Sequence, residues 1–241
     1  MISASLFLIA AQGMGQAVAP TVKVYKQKAA GASFQVIEAD LSNAKIKAQI
    51  VLAQGFPGTD EPFKGMVSRT PGVLAAINGS YFDKQTKKPI GDIWTRGYLM
   101  NRGLMGTAFC VAPSGEMDII RVVRHKTQDW TKYESVLACG PALMLDGQVD
   151  CDWRSEGFRD PHVTGSTSRM GLGYRQDGKL LLVRGQTSQT FEQFAESMKQ
   201  LGCWEAMNLD SGASRGFYHQ GSFIEKPGRR LTNVLAIVKA G

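Results

Sequence analysis

The chain has 241 residues, 43% hydrophobic and 20% charged. That excludes a disordered chain and suits one well-buried domain better than two. The formal net charge is +7, from 28 Lys and Arg against 21 Asp and Glu. This mild positive field favours anionic partners, but the basic residues are scattered, and no basic stripe with aromatic platforms marks a nucleic-acid binder.

Residues 2–11 are almost wholly apolar, and a run rich in small residues follows up to Pro20. Such a stretch is too short to span a bilayer as a helix and fits the hydrophobic region of a secretory signal. Residues 1–19 are therefore expected to be a signal peptide, and residues 20–241 the exported domain, periplasmic or extracellular. No later stretch reads as a stable membrane span. Cys110, Cys139, Cys151 and Cys203 form no Cys-x-x-Cys pair, which argues against a zinc site and leaves three full disulfide pairings open.

Residues 22–25, 33–39 and 46–52 read as an opening strand meander, from their β-branched content and partial alternation. A short helix is predicted over 63–70, stopped by Pro71-Gly72. Residues 73–77 form a buried-strand run that ends at the Asn78-Gly79 turn signal. Residues 107–111 and 118–123 flank Pro113-Ser114-Gly115 as a hairpin, and 142–145 precede the Asp146-Gly147 turn. Residues 169–174 and 180–184, around Asp177-Gly178, make the clearest hairpin. The clearest helix covers 190–201: Thr190 caps it, Phe191, Phe194, Ala195, Met198 and Leu201 share one face, and Gly202 ends it. Strands at 206–209 and 234–238 complete the pattern. The expected fold class is α+β or mixed α/β: a single domain with a strand-rich mixed sheet core and a few packed helices.

His125, His162 and His219 are far apart in sequence, so a histidine-built zinc hydrolase is not expected. Two segments carry polar groups out of buried strands. In the first, Ala75-Ala76-Ile77 delivers Asn78 into a turn, with Asp83 shortly after. Ending a turn is a bland use for such an Asn; lining a cleft is the sharper one. In the second, Ala206 to Leu209 delivers Asp210, and Ser211, Gly212, Ala213 and Ser214 follow. Small residues let the backbone approach a ligand and offer N–H groups to an anion.

Taken in order, these segments resemble the phosphodiester glycosidase family. The matching stretches are Asn78-Gly79-Ser80-Tyr81-Phe82, Pro89-Ile90-Gly91, Gly140-Pro141-Ala142-Leu143 with Asp146-Gly147, and the strand led by Arg169. They continue with Asn208-Leu209-Asp210 and close on Arg229 and Asn233 before the last strand. The resemblance covers residues 73–238. It implies a hydrolase that cleaves a glycosidic bond to phosphate, acting on a phosphorylated or anionic glycan. Asp210 would be its central carboxylate, with Asn78, Arg169 and Asp83 as further catalytic candidates. Asn208, Gly212, Ser214, Arg229 and Gly140 would be substrate-binding. No cofactor is required, though a divalent cation bridging Asp210 and a phosphate is compatible with the chemistry.

Two positions depart from the family pattern. Ser211 and Ala213 stand where glycines are usual and are expected to restrict the backbone and narrow the site. Arg184-Gly185-Gln186 replaces a common Asp-Gly-Arg. That loss favours the alternative of a non-catalytic glycan-binding or assembly protein of the cell envelope or an exopolysaccharide.

Overall fold

A computed structural model describes residues 22–103, 105–122 and 126–240. The expected signal segment, Val123 and His125 lie outside the described residues. In chain order the strands are β1 Val22–Ala29, β2 Ala32–Asp40, β3 Ile46–Leu52, β4 Val73–Asn78, β5 Ile93–Thr95, β6 Tyr98–Asn101, β7 Thr107–Val111, β8 Met117–Arg121 and β9 Ser135–Ala138. There follow β10 Ala142–Leu145, β11 Gln148–Val149, β12 Thr167–Tyr174, β13 Lys179–Gln189, β14 Glu205–Leu209, β15 Phe217–His219, β16 Ser222–Glu225 and β17 Asn233–Lys239. The helices are α1 Phe63–Ser68, α2 Pro161–Thr164 and α3 Phe191–Gln200.

The strands form three sheets, ordered β1-β2-β13-β12-β14-β10-β11, β16-β15-β4-β17-β3 and β6-β5-β9-β7-β8. Every strand pair among the described residues is antiparallel. This corrects the expected α+β or mixed α/β class: the domain is mostly β, with no mixed sheet. The cause is how the sheets are covered. They bury their inner faces mainly against one another, and among the described residues only one helix exceeds six residues. The strands that sequence reading missed (β5, β6, β9, β11, β15 and β16) run two to four residues. Segments so short are held by pairing, not by intrinsic preference.

Side-chain alternation shows how the layers meet. On β2, Phe34 and Val36 face one cluster while Ile37 and Ala39 face another; on β13, Leu181 and Val183 alternate in the same way with Leu180 and Leu182. On β17, Leu235 and Ile237 join Ile37 and Leu182, while Val234 and Ala236 pack with Phe63 and Met66 of α1. Phe109 and Leu137 bring the third sheet into that same central cluster. Strands apolar on both faces read as continuous hydrophobic runs, which is how the longer ones are visible in sequence.

Helix α3 covers the outer face of the large sheet through Phe191, Phe194, Ala195 and Met198. The Thr190 hydroxyl accepts the Gln193 N–H at 3.3 Å, and the Gln193 side chain accepts the Thr190 N–H at 2.9 Å, forming a reciprocal cap. Gly202 ends the helix at φ +88°. The four cysteines are unpaired, with Cys110, Cys139 and Cys203 buried.

Candidate active site

Strands β4 and β14 belong to different sheets, and their C-terminal ends meet at one cleft. The Asp210 N–H donates to the Gly79 carbonyl at 3.2 Å. Asn78 ties the junction: its Nδ2 donates to the Asp210 carbonyl at 2.6 Å, and its Oδ1 accepts the Gly216 N–H at 3.1 Å. The Asn233 Oδ1 accepts the Ser80 N–H at 2.9 Å. A Cβ on Gly79 would lie 1.8 Å from that oxygen, so only glycine permits this approach. The two segments singled out in sequence are thus joined, through buried amides on main-chain atoms.

The cleft holds about 700 Å³, and its walls include Tyr81, Asp83, Lys84, Phe158, Arg159, Asp160, His162, Arg169, Asp210, Ser211, Gly212 and Arg229. Asp210 is half-buried, with its carboxyl deep in the site. Its Oδ1 accepts the Ser211 N–H at 2.8 Å. Burial pushes this carboxyl up from 3.8 to about 6, opposed by the Ser214 hydroxyl beside it and by Arg229 and Lys84. Ser214 is buried; its N–H donates to the Ser211 carbonyl at 3.2 Å, and its hydroxyl is short of full hydrogen-bond geometry with any described partner.

Arg169 sits where the β12–β13 register shifts, between Ser168 and Met170. A bulge re-aims the side chain, here into the interior. Its Nε donates to the Gln189 carbonyl and its Nη1 to the Val163 carbonyl, both at 3.0 Å, and Nη2 donates to the Gly165 carbonyl. The guanidinium carbon lies 3.9 Å over the Phe191 ring. Burial lowers its pKa, yet it stays a cation. Among the described residues it forms no ion pair. A buried guanidinium in a cleft wall, held by carbonyls and without a carboxylate within ion-pair distance among the described residues, favours an anion there.

The other expected site residues are distributed as follows. Asp83 is exposed at the cleft mouth, where its Oδ1 accepts the Gln85 and Thr86 N–H groups at 3.0 and 2.6 Å, and these bonds hold its carboxyl below the usual range. Asn208 is buried under the cleft; its Nδ2 donates to the Tyr81 hydroxyl at 2.7 Å, and its Oδ1 is unpartnered. Gly212 has φ +59° and lines the wall. Arg229 is exposed on the same wall. Gly140 lies off the wall, packed against Thr107 and Glu156, at the crossing from β9 to β10.

The two departures also have a place. The Ser211 hydroxyl turns towards the sheet, accepting the Met170 N–H and donating to the Leu209 carbonyl, both at 3.1 Å. The Arg184 Nε donates to Glu225 at 2.6 Å, and Arg184 does not line the cleft.

Sequence reading missed Tyr81 as a site residue, although it lay within a quoted motif, and missed the wall formed by residues 157–163. Burial raises the Tyr81 phenol well above 10, so it remains a hydrogen-bond donor. The signal for the wall was Asp160-Pro161, a helix start in which Asp160 caps α2. Among the described residues no group of three or more His, Cys, Asp or Glu is gathered as a metal site. A separate groove of about 800 Å³, lined by Asp118, Tyr133, Tyr174 and Trp204, shares no residue with the cleft.

A raised carboxyl thus shares one open cleft with two guanidinium groups, Arg229 acting on it electrostatically and Arg169 set in the wall. The sequence profile of the phosphodiester glycosidase family matches residues 71–238, and the chain belongs to that family. The N-acetylglucosamine-1-phosphodiester alpha-N-acetylglucosaminidase of Mus musculus is 25% identical over 173 residues, covering 65% of this chain and 34% of the mouse protein. The chain therefore spans about a third of that relative's length. Among solved structures, a hypothetical protein from Synechocystis matches with TM-score 0.76 at 14% identity, over 92% of this chain and 64% of that one. The catalytic domain of the zebrafish N-acetylglucosamine-1-phosphodiester alpha-N-acetylglucosaminidase, auto-inhibited by its pro-peptide, matches with TM-score 0.71 at 19% identity, over 96% of this chain and 87% of that one. At these identities the two structures share the fold.

Proposed function

We propose that this chain is an exported hydrolase that cleaves the glycosidic bond to a phosphate in an envelope or extracellular glycan. The observation that carries the chemistry is Asp210, raised to about 6, in one cleft with the ion-pair-free Arg169. Export rests on the apolar run of residues 2–11.

In the proposed reaction Asp210, ionised above about pH 6, attacks the anomeric carbon or takes a proton from the water that does. The anomeric C–O bond breaks, and its electron pair stays on the phosphate oxygen. On the first route water then hydrolyses the glycosyl–Asp210 ester and frees the carboxylate; on the second the water oxygen forms the new bond to the anomeric carbon and its proton passes from Asp210 to solvent. A phosphomonoester is a stable anion, so it needs positive charge more than a proton donor. Arg169 and Arg229 supply that charge, with the N–H groups of the Gly212 turn as added donors. Tyr81 offers its hydroxyl to the sugar. Asn78 and Asn208 act as positioning residues, through the Asp210 carbonyl and Tyr81. A divalent cation, where present, would rest on Asp210 and phosphate oxygens; the scheme requires none. The rival reading, a glycan-binding envelope protein, drew on the Arg184 departure, and Arg184 is engaged by Glu225 outside the cleft.

The test is release of sugar from a panel of α- and β-linked sugar phosphodiesters by the purified protein and its Asp210→Asn variant. Release by the wild type alone supports the proposal. Equal release by both removes Asp210 from the chemistry, and release by neither favours the binding protein.

A further inference from the structure

Across Arg229 from the cleft lies a second groove of about 390 Å³, lined by Pro62, Phe63 and Lys64 and by Phe223 and residues 226–230. Arg229 belongs to the walls of both. The Gly228 N–H donates to the Ala213 carbonyl at 2.9 Å, which lays this segment over the small-residue turn that follows Asp210. A Cβ on Gly216 would lie 3.1 Å from both Phe63 and Pro227, so glycine there lets the two apolar walls close on the groove floor.

The groove is strongly cationic. Lys64, Lys226 and Arg229 are exposed, with Arg230 beside them. The nearby carboxylates are already engaged: Asp60 by Arg230 and Lys87, Glu61 by Arg69, and Glu225 by Arg184 and Arg215. Among the described residues Lys64, Lys226 and Arg229 form no ion pair. Two lysines without an ion pair among the described residues, with Arg229 reaching towards Asp210 at one end of an apolar floor, suit a ligand with an apolar face and a dispersed negative charge. A sugar phosphate has both.

We propose that this groove is a second phosphate subsite and that the substrate is a glycan polymer joined by repeated phosphodiesters. The inference rests on the proposed glycosidase reading and deepens it. The scissile phosphate lies between Arg169 and Arg229. The chain then passes Arg229, and its next phosphate rests between Lys64 and Lys226. The groove adds affinity for longer substrates and takes no part in bond cleavage, because neither lysine lines the cleft that holds Asp210.

The experiment compares a synthetic hexosamine oligomer carrying three glycosyl phosphodiester links with its single-link counterpart, using wild type and Lys64→Ala/Lys226→Ala. Both lysines are exposed, so the variant is expected to fold. Losing two charge-assisted contacts should raise KM for the oligomer about tenfold or more, with kcat and single-link turnover unchanged. The salt dependence of KM for the oligomer should flatten. Equal effects on the two substrates, or no effect on the oligomer, would overturn the subsite. Binding is read separately by calorimetry on Asp210→Asn protein with and without the lysine substitutions. A protein without turnover therefore fails the glycosidase reading and still tests the groove: loss of oligomer binding with the two lysines supports the subsite, and unchanged binding refutes it. A DNA oligomer of equal charge that binds as tightly would also overturn it, as a non-specific polyanion surface.

Discussion

Asp210→Asn should make the protein more stable while abolishing its activity. Burial raises the folded-state pKa from 3.8 to about 6, so the folded protein disfavours the ionised form. The sign follows from linkage: the stability this group contributes is full below about 3.8 and is lost as pH rises through about 6. At about 1.4 kcal/mol per pH unit the shift corresponds to a ceiling of about 3 kcal/mol. Asp210 is only half-buried, and screening through the open cleft cuts this to about 1–2 kcal/mol. An Asn also accepts the Ser211 N–H more weakly than a carboxylate does, which returns a few tenths of a kcal/mol. The expected gain at pH 7.5 is therefore about 1 kcal/mol, shrinking to about a third of that at pH 4.5. Urea unfolding of both proteins at the two pH values measures it. A variant less stable than wild type at pH 7.5, or a gap that ignores pH, would refute the reasoning that Asp210 is held against its preferred protonation state.

Three further outcomes are expected. Arg229→Gln removes a charge that opposes the upward shift of Asp210, so the acid limb of kcat/KM should move to higher pH and its plateau fall about tenfold; an unmoved limb would count against the coupling. Arg169→Lys keeps a charge but cannot reproduce the donation to the Gln189, Val163 and Gly165 carbonyls, so stability should fall by about 2–4 kcal/mol and kcat/KM by about a hundredfold, read by denaturation and release assay. Ser211→Gly removes the acceptor of the Met170 N–H and should cost about 1 kcal/mol of stability with kcat within a factor of about three; a large change in kcat would show that Ser211 faces the substrate.

The long strands, the capped helix and the order of the motifs are legible in the amino-acid order alone. Those features are local: β2, β13 and β17 show their double-sided apolar character in their own residues, and Thr190 to Gly202 carries both its start and its stop. That order also pointed to Asp210 and Asn78, because a polar residue ending a buried apolar run is conspicuous without a fold. The remaining features depend on contacts between distant segments. Strands of two to four residues take their conformation from partners far away in the chain, so β5, β9 and β15 had no signal strong enough to reveal an all-antiparallel, mostly β domain. The roles of the site residues were equally non-local. Asn78 binds the backbone of a residue 132 positions away, Asp83 closes its own turn, and Gly140 packs away from the cleft. The raised carboxyl of Asp210 and the carbonyl-held cation of Arg169 come from burial and from neighbours elsewhere in the fold, which exist only once the sheets have met.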